Sequence, residues 1–319
     1  TLSPMQAFIL AGGFATRLWP LTEKRAKPLL PLAGKPLISH IVESIPDGIE
    51  ITVSTNLAFK QDFENWKKTM SGKHINILIE DSGNEDEKLG ALGAVSKWVT
   101  ESSISDDVLL LAGDNYMGFS VESFVSSFDG SPLVASYDIR EVELAKMFGT
   151  VVVDKEDQSF VKKVVAFEEK PNDPKSTLVS TGCTIIPGDK LSELVSYAKD
   201  HPDNIGGIFE HFLSSGIDVK CMSFSDLWFD IGSFDAYLDA TRVLVGDTVS
   251  SENGNEFSGS VVVGAGSSVK NSKLKDVVIF EGCEVTDCVL ENCILDNACN
   301  LKGIDLKGKM LREGTKLVR

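Results

Sequence analysis

The chain of 319 residues has fewer cations than anions and no long apolar run. These two absences argue against a nucleic-acid-binding protein and against a membrane-spanning one. Lysine and arginine number 31 against 47 aspartate and glutamate residues, which gives a formal net charge of −16. Such a charge repels polyanions and leaves no basic stripe that could follow phosphates, so we expect no nucleic acid partner. The longest apolar runs, such as residues 108–112, are of strand length, whereas a membrane-spanning helix needs roughly 20 residues. No basic-then-apolar signal segment opens the sequence, and we expect a cytoplasmic protein without a membrane segment.

The cysteines lack the spacing of a metal cluster. Four of the six lie between residues 283 and 299, separated by 5, 5 and 6 residues rather than as CxxC pairs. Free cysteine behaves as a small buried hydrophobe. We therefore interpret these four as core residues, and the alternatives of a metal site or a disulfide framework as less favoured.

Strand-length apolar runs alternate with helical patterns over the first 137 residues. The predicted strands are 7–10, 51–54, 75–79, 108–112 and 133–137, and the predicted helices are 37–45, 59–70, 89–99 and 121–128. This alternation predicts an α/β fold with a Rossmann-like mixed, mostly parallel sheet covered on both faces. Ligands are expected at the carboxyl ends of its strands.

The pattern changes in the second part of the chain. A hairpin is predicted from residues 149–154 and 160–167, followed by strands near 181–186 and 219–224 and by helices at 190–199, 207–214 and 234–245. Glycine, serine, asparagine and acidic residues then replace the periodic pattern over 246–259. We therefore predict a first domain of residues 1–247 and a repeat domain of residues 257–319.

The repeat domain has a 16-residue period. Each period carries aliphatic residues that are preceded, two positions earlier, by small ones. The aliphatic residues are Val263, Val269, Leu274, Ile279, Val285, Leu290, Leu295 and Leu301. Positions two apart on a strand face the same way, so each short side would direct one small and one aliphatic residue inward. The pattern resembles the left-handed β-helix built from hexapeptide repeats.

A stack of about two and a half such coils exposes a flat end. The tail at 304–319 is one candidate cap, and a second copy of the chain is the other. We expect the segment from about Phe257 onward to serve a homo-oligomer rather than catalysis.

The densest chemical signal follows the first predicted strand. Gly12 and Gly13 let backbone amides approach a phosphate chain, and nearby cations can neutralise charge that grows on it. Residues 1–36 hold five cations and one anion, a local charge of +4 in a chain of −16. The GxGxxG dinucleotide motif is excluded, because Ala15 stands where the second glycine would follow Gly13, and neither Gly12 nor Gly13 is followed by glycines two and five positions later.

This stretch resembles the signature of the sugar-phosphate nucleotidyltransferase family, GGxGTRLxPLT followed by KPLLPxxxKP, at residues 12–22 and 27–36. Ala15 replaces the usual glycine, while Arg17 and Lys27 stay in register. Later segments also match in order, namely LAGDN at 111–115, FEEKP at 167–171 and WFDIG at 228–232. The resemblance therefore covers nearly the full chain.

The resemblance implies that a hexose 1-phosphate attacks the α-phosphorus of a nucleoside triphosphate (NTP) in line, giving an NDP-sugar and pyrophosphate. It implies that Arg17 holds the β- and γ-phosphates, Lys27 the α-phosphate and Lys170 the incoming phosphate. Asp114 and Asp230 would hold Mg²⁺, which prefers oxygen ligands. The remaining implied residues are Leu10, Gly12, Gly13, Thr16, Leu89 and Gly90 at the nucleotide, and Gly149, Glu169 and Gly182 at the sugar.

The sequence leaves the base and the hexose open. Residues 168–176 and 113–115 look most like glucose-1-phosphate thymidylyltransferases. In contrast, LGALG at 89–93 looks closer to the LGTAG of guanylyl- and some uridylyltransferases. We favour glucose 1-phosphate with dTTP or UTP, and mannose 1-phosphate with GTP is the alternative.

The sequence disfavours two alternative functions. An acyltransferase site in the repeats would need a histidine base, but the four histidines lie at 40, 74, 201 and 211, all before the repeats. A non-catalytic regulatory homologue typically loses a metal-binding aspartate or a phosphate-binding cation. This chain keeps Arg17, Lys27, Asp114, Lys170 and Asp230, which favours the enzyme.

Overall fold

The computed structural model describes residues 4–13, 16–80, 89–249 and 251–319. Over these residues the strands, numbered in chain order, are β1 (Met5–Leu10), β2 (Pro31–Leu32), β3 (Lys35–Pro36), β4 (Glu50–Asn56), β5 (Ile75–Glu80), β6 (Asp107–Ala112), β7 (Asn115–Met117), β8 (Leu133–Asp138), β9 (Gly149–Val153), β10 (Val161–Glu169), β11 (Leu178–Ile186), β12 (Lys220–Phe224), β13 (Trp228–Asp230), β14 (Glu256–Val263), β15 (Ser268–Lys270), β16 (Lys273–Ile279), β17 (Glu284–Thr286), β18 (Val289–Leu295), β19 (Asn300–Lys302), β20 (Asp305–Leu311) and β21 (Lys316–Val318). The helices are α1 (Leu37–Ser44), α2 (Lys60–Lys67), α3 (Ala91–Glu101), α4 (Val121–Ser126), α5 (Val142–Ala145), α6 (Leu191–Ala198), α7 (Gly207–Ser214) and α8 (Phe234–Val245). Among the described residues, no helix is long and apolar enough to cross a membrane.

The chain packs into two compact units that are not consecutive in sequence. The first consists of Thr1–Gly13 and Ile38–Trp228, and the second of Phe14–Leu37 and Phe229–Arg319. Residues 16–37, called the signature segment below, therefore belong by packing to the unit that contains the C-terminal repeats.

Nine of the described strands form one mixed sheet in the first unit, in the order β5-β4-β1-β6-β11-β8-β12-β10-β9. The strands β5, β4, β1 and β6 are parallel, as are β8 and β12. Only β11 and β10 run against their neighbours within this sheet of described strands. The predicted mixed α/β fold is confirmed, and the predicted hairpin is found as the antiparallel pair β9 and β10.

Buried apolar side chains pack helices of the first unit against its central strands. Helices bury one face of the sheet, and the rings of Phe8 on β1 and Trp98 on α3 lie 4.6 Å apart between centroids. Phe209 and Phe212 on α7 belong to the same cluster of buried residues. Each fully buried side chain of this size contributes about 1.5–3 kcal/mol. The carboxyl ends of β1 and β6 are therefore fixed relative to each other.

The C-terminal strands of the second unit form two parallel sheets, β14-β16-β18-β20 and β15-β17-β19-β21. Their register follows the 16-residue period, because Val263 pairs with Ile279, Ile279 with Leu295 and Leu295 with Leu311. The predicted inward aliphatic residues are buried, apart from Val263, which stays 39% exposed. Val263 lies on β14, the outermost strand of its sheet.

The repeat cysteines lie in the core of the coils, and the tail continues the coils. All six cysteines are buried and unbridged, which confirms the interpretation of those in the repeats as core residues. The tail, one of the two candidate caps, continues the coils, because β20 and β21 extend both sheets in register. Leu306, Leu311 and Leu317 continue the aliphatic period, while Ile304 and Lys309 occupy positions that are small in earlier repeats.

The signature segment packs on α8 and on the repeats within the second unit. Strands β2 and β3 form a short hairpin. The Tyr237 hydroxyl on α8 donates a hydrogen bond to the carbonyl of Pro31. Salt bridges also join Arg25 to Asp296 and Arg312 to Glu23.

Candidate active site

The carboxyl ends of β1 and β6 lie side by side. Leu10 pairs with Ala112, and the amide of Gly113 donates to the carbonyl of Leu10 at 2.8 Å. A Cβ on Gly113 would stand 2.5 Å from that carbonyl oxygen, so a side chain does not fit there. Asp114 follows directly, and its Oδ1 accepts from Asn115 Nδ2 at 2.8 Å. Leu10 and Asp114, predicted for the nucleotide and the metal, are thus brought to one edge of the sheet.

Glu80 also reaches this edge and was missed in the sequence. It ends β5 and is only 6% exposed. Ser54 Oγ donates to its Oε1 at 2.6 Å. A Cβ on Gly12 would lie 2.5 Å from the same oxygen, so the carboxylate rests against the glycine backbone. Its position after a predicted strand was the available signal, since strand ends present ligand-binding side chains.

Three other residues of the first unit were predicted to bind the nucleotide, namely Gly13, Leu89 and Gly90. No described atom lies within 4 Å of a Cβ placed on Gly13. Leu89 and Gly90 precede α3, and Gly90 has a φ of 77° with its Cβ position 2.5 Å from the carbonyl oxygen of Pro202. That carbonyl accepts hydrogen bonds from the first amides of the helix. Gly90 therefore allows a close backbone contact that alanine would block.

Gly149 and Glu169 face each other across β9 and β10. A Cβ on Gly149 would lie 2.9 Å from Glu169 Oε2, and one on Gly206 would lie 1.9 Å from it. The carboxylate is therefore packed against two glycine backbones. Burial raises the pKa of Glu169, Lys170 opposes this, and Glu210 raises it further. The pocket holds this carboxylate in an environment that favours its protonated form relative to water.

Lys170 has an uncommon backbone conformation beside Glu169. Its φ is 46°, a left-handed value that is uncommon for a residue other than glycine, and its amide donates to the carbonyl of Phe148 at 3.2 Å. The side chain is 66% exposed, with Nζ 3.8 Å from Glu169 Oε1. Strained backbone of this kind persists where surrounding structure enforces it, often at ligand sites. The neighbouring Glu168 has a buried Oε2 without a hydrogen-bond partner in the structure.

Gly182 lies within β11, beside the end of β6 that precedes Asp114. It has a φ of 74°, and a Cβ there would lie 2.7 Å from the Cβ of Ala112 and 3.8 Å from Asn115 Nδ2. Glycine is thus needed for β11 to pack beside β6 at this point.

The second unit holds the remaining predicted residues, Thr16, Arg17, Lys27 and Asp230. Thr16 and Arg17 lie in an exposed 3-10 turn. A Cβ on Gly232 would stand 3.4 Å from Asp230 Oδ2 and 3.7 Å from Arg17 Nη2, so these two side chains flank the same glycine. Lys27 begins a second 3-10 turn and is 8% exposed. Ala15, where the signature departs from its usual glycine, lies outside the described residues.

Comparison with known proteins agrees with the fold. Residues 6–245 match the family described as nucleotidyl transferase. A glucose-1-phosphate thymidylyltransferase of Streptomyces antibioticus is 28% identical over 293 residues, which cover 89% of this chain and 80% of that protein. A mannose-1-phosphate guanylyltransferase of Mycobacterium tuberculosis is 27% identical over 312 residues, which cover 88% of this chain and 81% of that protein.

A solved structure shares the architecture at low sequence identity. The crystal structure of an apo UDP-glucose pyrophosphorylase superposes with a TM-score of 0.63 at 18% identity, over 75% of this chain and 97% of that one. The matches to relatives from Sulfolobus acidocaldarius and Methanocaldococcus jannaschii span only 60% and 59% of those proteins. Since the family match covers well over half of the chain, this protein belongs to the nucleotidyl transferase family.

Proposed function

We propose that the protein joins an NTP to a hexose 1-phosphate, giving an NDP-sugar and pyrophosphate. The observation that carries the proposal is the junction of β1 and β6, where the Gly113 amide donates to the Leu10 carbonyl at 2.8 Å. This junction places Asp114 at the sheet edge from which Gly12 and Gly13 emerge. Doubly wound sheets bind nucleotides at such an edge.

The proposed reaction needs alignment and charge compensation more than a nucleophilic side chain. A phosphate oxygen of the hexose 1-phosphate forms a bond to the α-phosphorus. The bond from that phosphorus to the bridging oxygen breaks, and pyrophosphate leaves with the electron pair. Because the attacking phosphate is already ionised at pH 7, no general base is required.

Three basic side chains bind different phosphate groups in the proposed reaction. Arg17 holds the β- and γ-phosphates, Lys27 neutralises charge on the α-phosphate, and Lys170 holds the hexose phosphate. Glu169 accepts a hydrogen bond from a sugar hydroxyl. The bulky Arg17 fork suits two phosphates, whereas a lysine acts as a point charge.

Asp114 and Asp230 supply the kind of donor that Mg²⁺ prefers. Among the described residues there is no group of three histidine, cysteine, aspartate or glutamate side chains that could hold a metal ion by itself. Mg²⁺ suits such a sparse site, because it usually takes its remaining ligands from phosphates and water. When bound it would neutralise phosphate charge, while the two carboxylates orient it.

The first candidate pair is glucose 1-phosphate with dTTP or UTP, which residues 168–176 and 113–115 support. The second is mannose 1-phosphate with GTP, which Glu80 supports. A carboxylate only accepts hydrogen bonds, and the guanine edge offers adjacent N1–H and N2–H donors. Thymine and uracil offer a single N3–H between two carbonyl oxygens, which a carboxylate repels. A buried carboxylate against Gly12 thus favours guanine if the base lies there.

A substrate panel tests the proposal and separates the candidates. The full chain is assayed for pyrophosphate release with each of the five common NTPs and with glucose or mannose 1-phosphate. A preference for GTP that weakens in Glu80→Gln supports the second candidate, and a preference for dTTP or UTP supports the first. Absence of turnover in every pairing contradicts catalysis and favours a non-catalytic homologue.

We further propose that residues 1–247 form the catalytic domain and that residues 257–319 form a left-handed β-helix that assembles homo-oligomers. The parallel register at a 16-residue period supports the helix. Among the described strands, β20 and β21 have no partner on their outer side, which supports assembly. The mass in solution tests it, and a monomer at micromolar concentration would contradict the proposal.

A further inference from the structure

A largely buried ion pair joins the signature segment to the repeats inside the second unit. Arg25 Nη1 lies 3.0 Å from Asp296 Oδ1, and the two side chains are 22% and 6% exposed. The Arg25 guanidinium also lies 5.4 Å from the centroid of the Phe280 ring. Asp296 follows β18, and Arg25 precedes Lys27 by two residues. The arginine is therefore held on two sides by residues of the repeats.

A second anchor holds the same segment on the other side of Lys27. The buried Tyr237 of α8 donates to the carbonyl of Pro31. Burial raises the pKa of Tyr237, while the nearby Arg25 lowers it and Asp296 raises it. The stretch 26–30, which includes Lys27, is thus fixed at both of its ends.

We infer that Asp296, acting through Arg25, is a positioning residue that sets the placement of Lys27 and the rest of the signature segment toward the NTP. The inference rests on the proposed function, which assigns Lys27 and Arg17 to the phosphates. Through Asp296, the repeats would contribute to turnover as well as to the proposed homo-oligomer. Neither Asp296 nor Arg25 needs to touch a substrate for this role.

Burial distinguishes this pair from two other ion pairs of the same segment. Arg312 and Glu23 lie 2.9 Å apart with side chains 50% and 35% exposed. Lys24 and Glu313 lie 3.6 Å apart with side chains 70% and 41% exposed. Exposed pairs are screened by water and contribute little, whereas removing one partner of a buried pair leaves a charge without compensation. Glu313 is therefore the matched control for Asp296.

The test compares Asp296→Asn with Glu313→Gln in the full chain. Steady-state kinetics are measured with each substrate varied, together with the melting temperature and the mass in solution. Asp296→Asn is expected to lower kcat/KM for the NTP about 10- to 100-fold, the scale for displacement of a catalytic group by up to 1 Å. The KM for hexose 1-phosphate is expected to stay within about twofold, and Glu313→Gln to match the wild type.

Two further variants keep the test decisive. Arg25→Lys keeps the charge but loses the planar fork, so it is expected to fold and to show a smaller defect confined to the NTP. Asp296→Glu is expected to recover part of the loss. Wild-type kinetics in both Asp296→Asn and Arg25→Lys, or equal losses toward both substrates, would overturn the positioning role. A wild type that turns over no substrate pair would instead overturn the proposed function.

Discussion

Asp114 follows a glycine whose backbone contact leaves no room for a side chain, so its position at the end of β6 is tightly set. If its carboxylate orients Mg²⁺, Asp114→Asn should lower kcat by about two orders of magnitude, the scale of one lost preorganised electrostatic contact. Folding should persist, because the amide keeps the shape. The control is Asp106→Asn, just before the other end of β6, which should stay near wild type. Near-native turnover by Asp114→Asn would remove this residue from the mechanism.

Arg17 and Lys170 are expected to act on different substrates. Arg17→Ala should raise the KM for the NTP and lower kcat, whereas Lys170→Ala should mainly raise the KM for hexose 1-phosphate, about tenfold or more. Lys175→Ala is the control, since Lys175 is similarly exposed and pairs with Glu168 at 3.8 Å. Kinetics with each substrate varied measure both effects. Equal losses toward both substrates in both variants would reject the division of roles.

Glu169 should make sugar binding sensitive to acid. Its pKa is raised above the ordinary 4.5 by burial, so the carboxylate takes up a proton at a higher pH than an exposed glutamate does. The KM for hexose 1-phosphate should therefore rise as the pH falls through this raised pKa, while an ionised carboxylate and a low KM persist above it. Glu169→Gln should lose this step but keep the step due to the substrate phosphate. Superimposable profiles for the two proteins would contradict the assignment.

At the scale of elements, the start of α7 shapes the space around Glu169. A Cβ at Gly206 would stand 1.9 Å from Glu169 Oε2, the mobile end of that side chain. Gly206 has a φ of −73°, which alanine adopts easily, so Gly206→Ala should fold while displacing the carboxylate. The KM for hexose 1-phosphate should rise about tenfold, and the KM for the NTP should not. Ser214→Ala at the other end of α7 is the control, and unchanged sugar kinetics in Gly206→Ala would be the contrary result.

The elements themselves could be predicted because their signals are local. Apolar periodicity gave each principal strand and helix to within three residues, as in α8, found at the predicted 234–245. The sheet order could not be predicted from the same signals. β11 lies antiparallel between β6 and β8, a pairing that depends on contacts between segments far apart in the chain. The tail was one of two candidate caps, whereas its leucines keep the 16-residue period and its strands extend both sheets.

The candidate site contains residues that a local motif marks and residues that only the strand order brings to the site. Asp114, Gly12 and Glu169 stay predictions from local motifs, each with a chemical reason at its position. Glu80 carried only the general signal of a residue that follows a predicted strand, since its contact with Gly12 exists only because β5, β4 and β1 are neighbours in the sheet. No motif marks a residue whose importance arises from strand order.

At the scale of the whole molecule, packing and sequence divide the chain differently. The signature segment begins within six residues of the end of β1, yet it packs in the unit that contains the residues from Phe229 onward. Arg25 and Asp296 are separated by 271 positions, so no local pattern could connect them. The repeats were expected to serve assembly alone, and this contact is what extends their role to the segment that carries Lys27.

Nucleotidyl transfer is tested by identifying the products that the full chain makes from one NTP and one hexose 1-phosphate with Mg²⁺. Mass spectrometry of the nucleotide product and a separate assay of pyrophosphate should show an NDP-sugar and pyrophosphate in equal amounts. Both products should depend on the presence of both substrates and should be nearly lost in Asp114→Asn. Release of inorganic phosphate instead of pyrophosphate, or nucleotide turnover that is independent of the hexose 1-phosphate, would contradict the account.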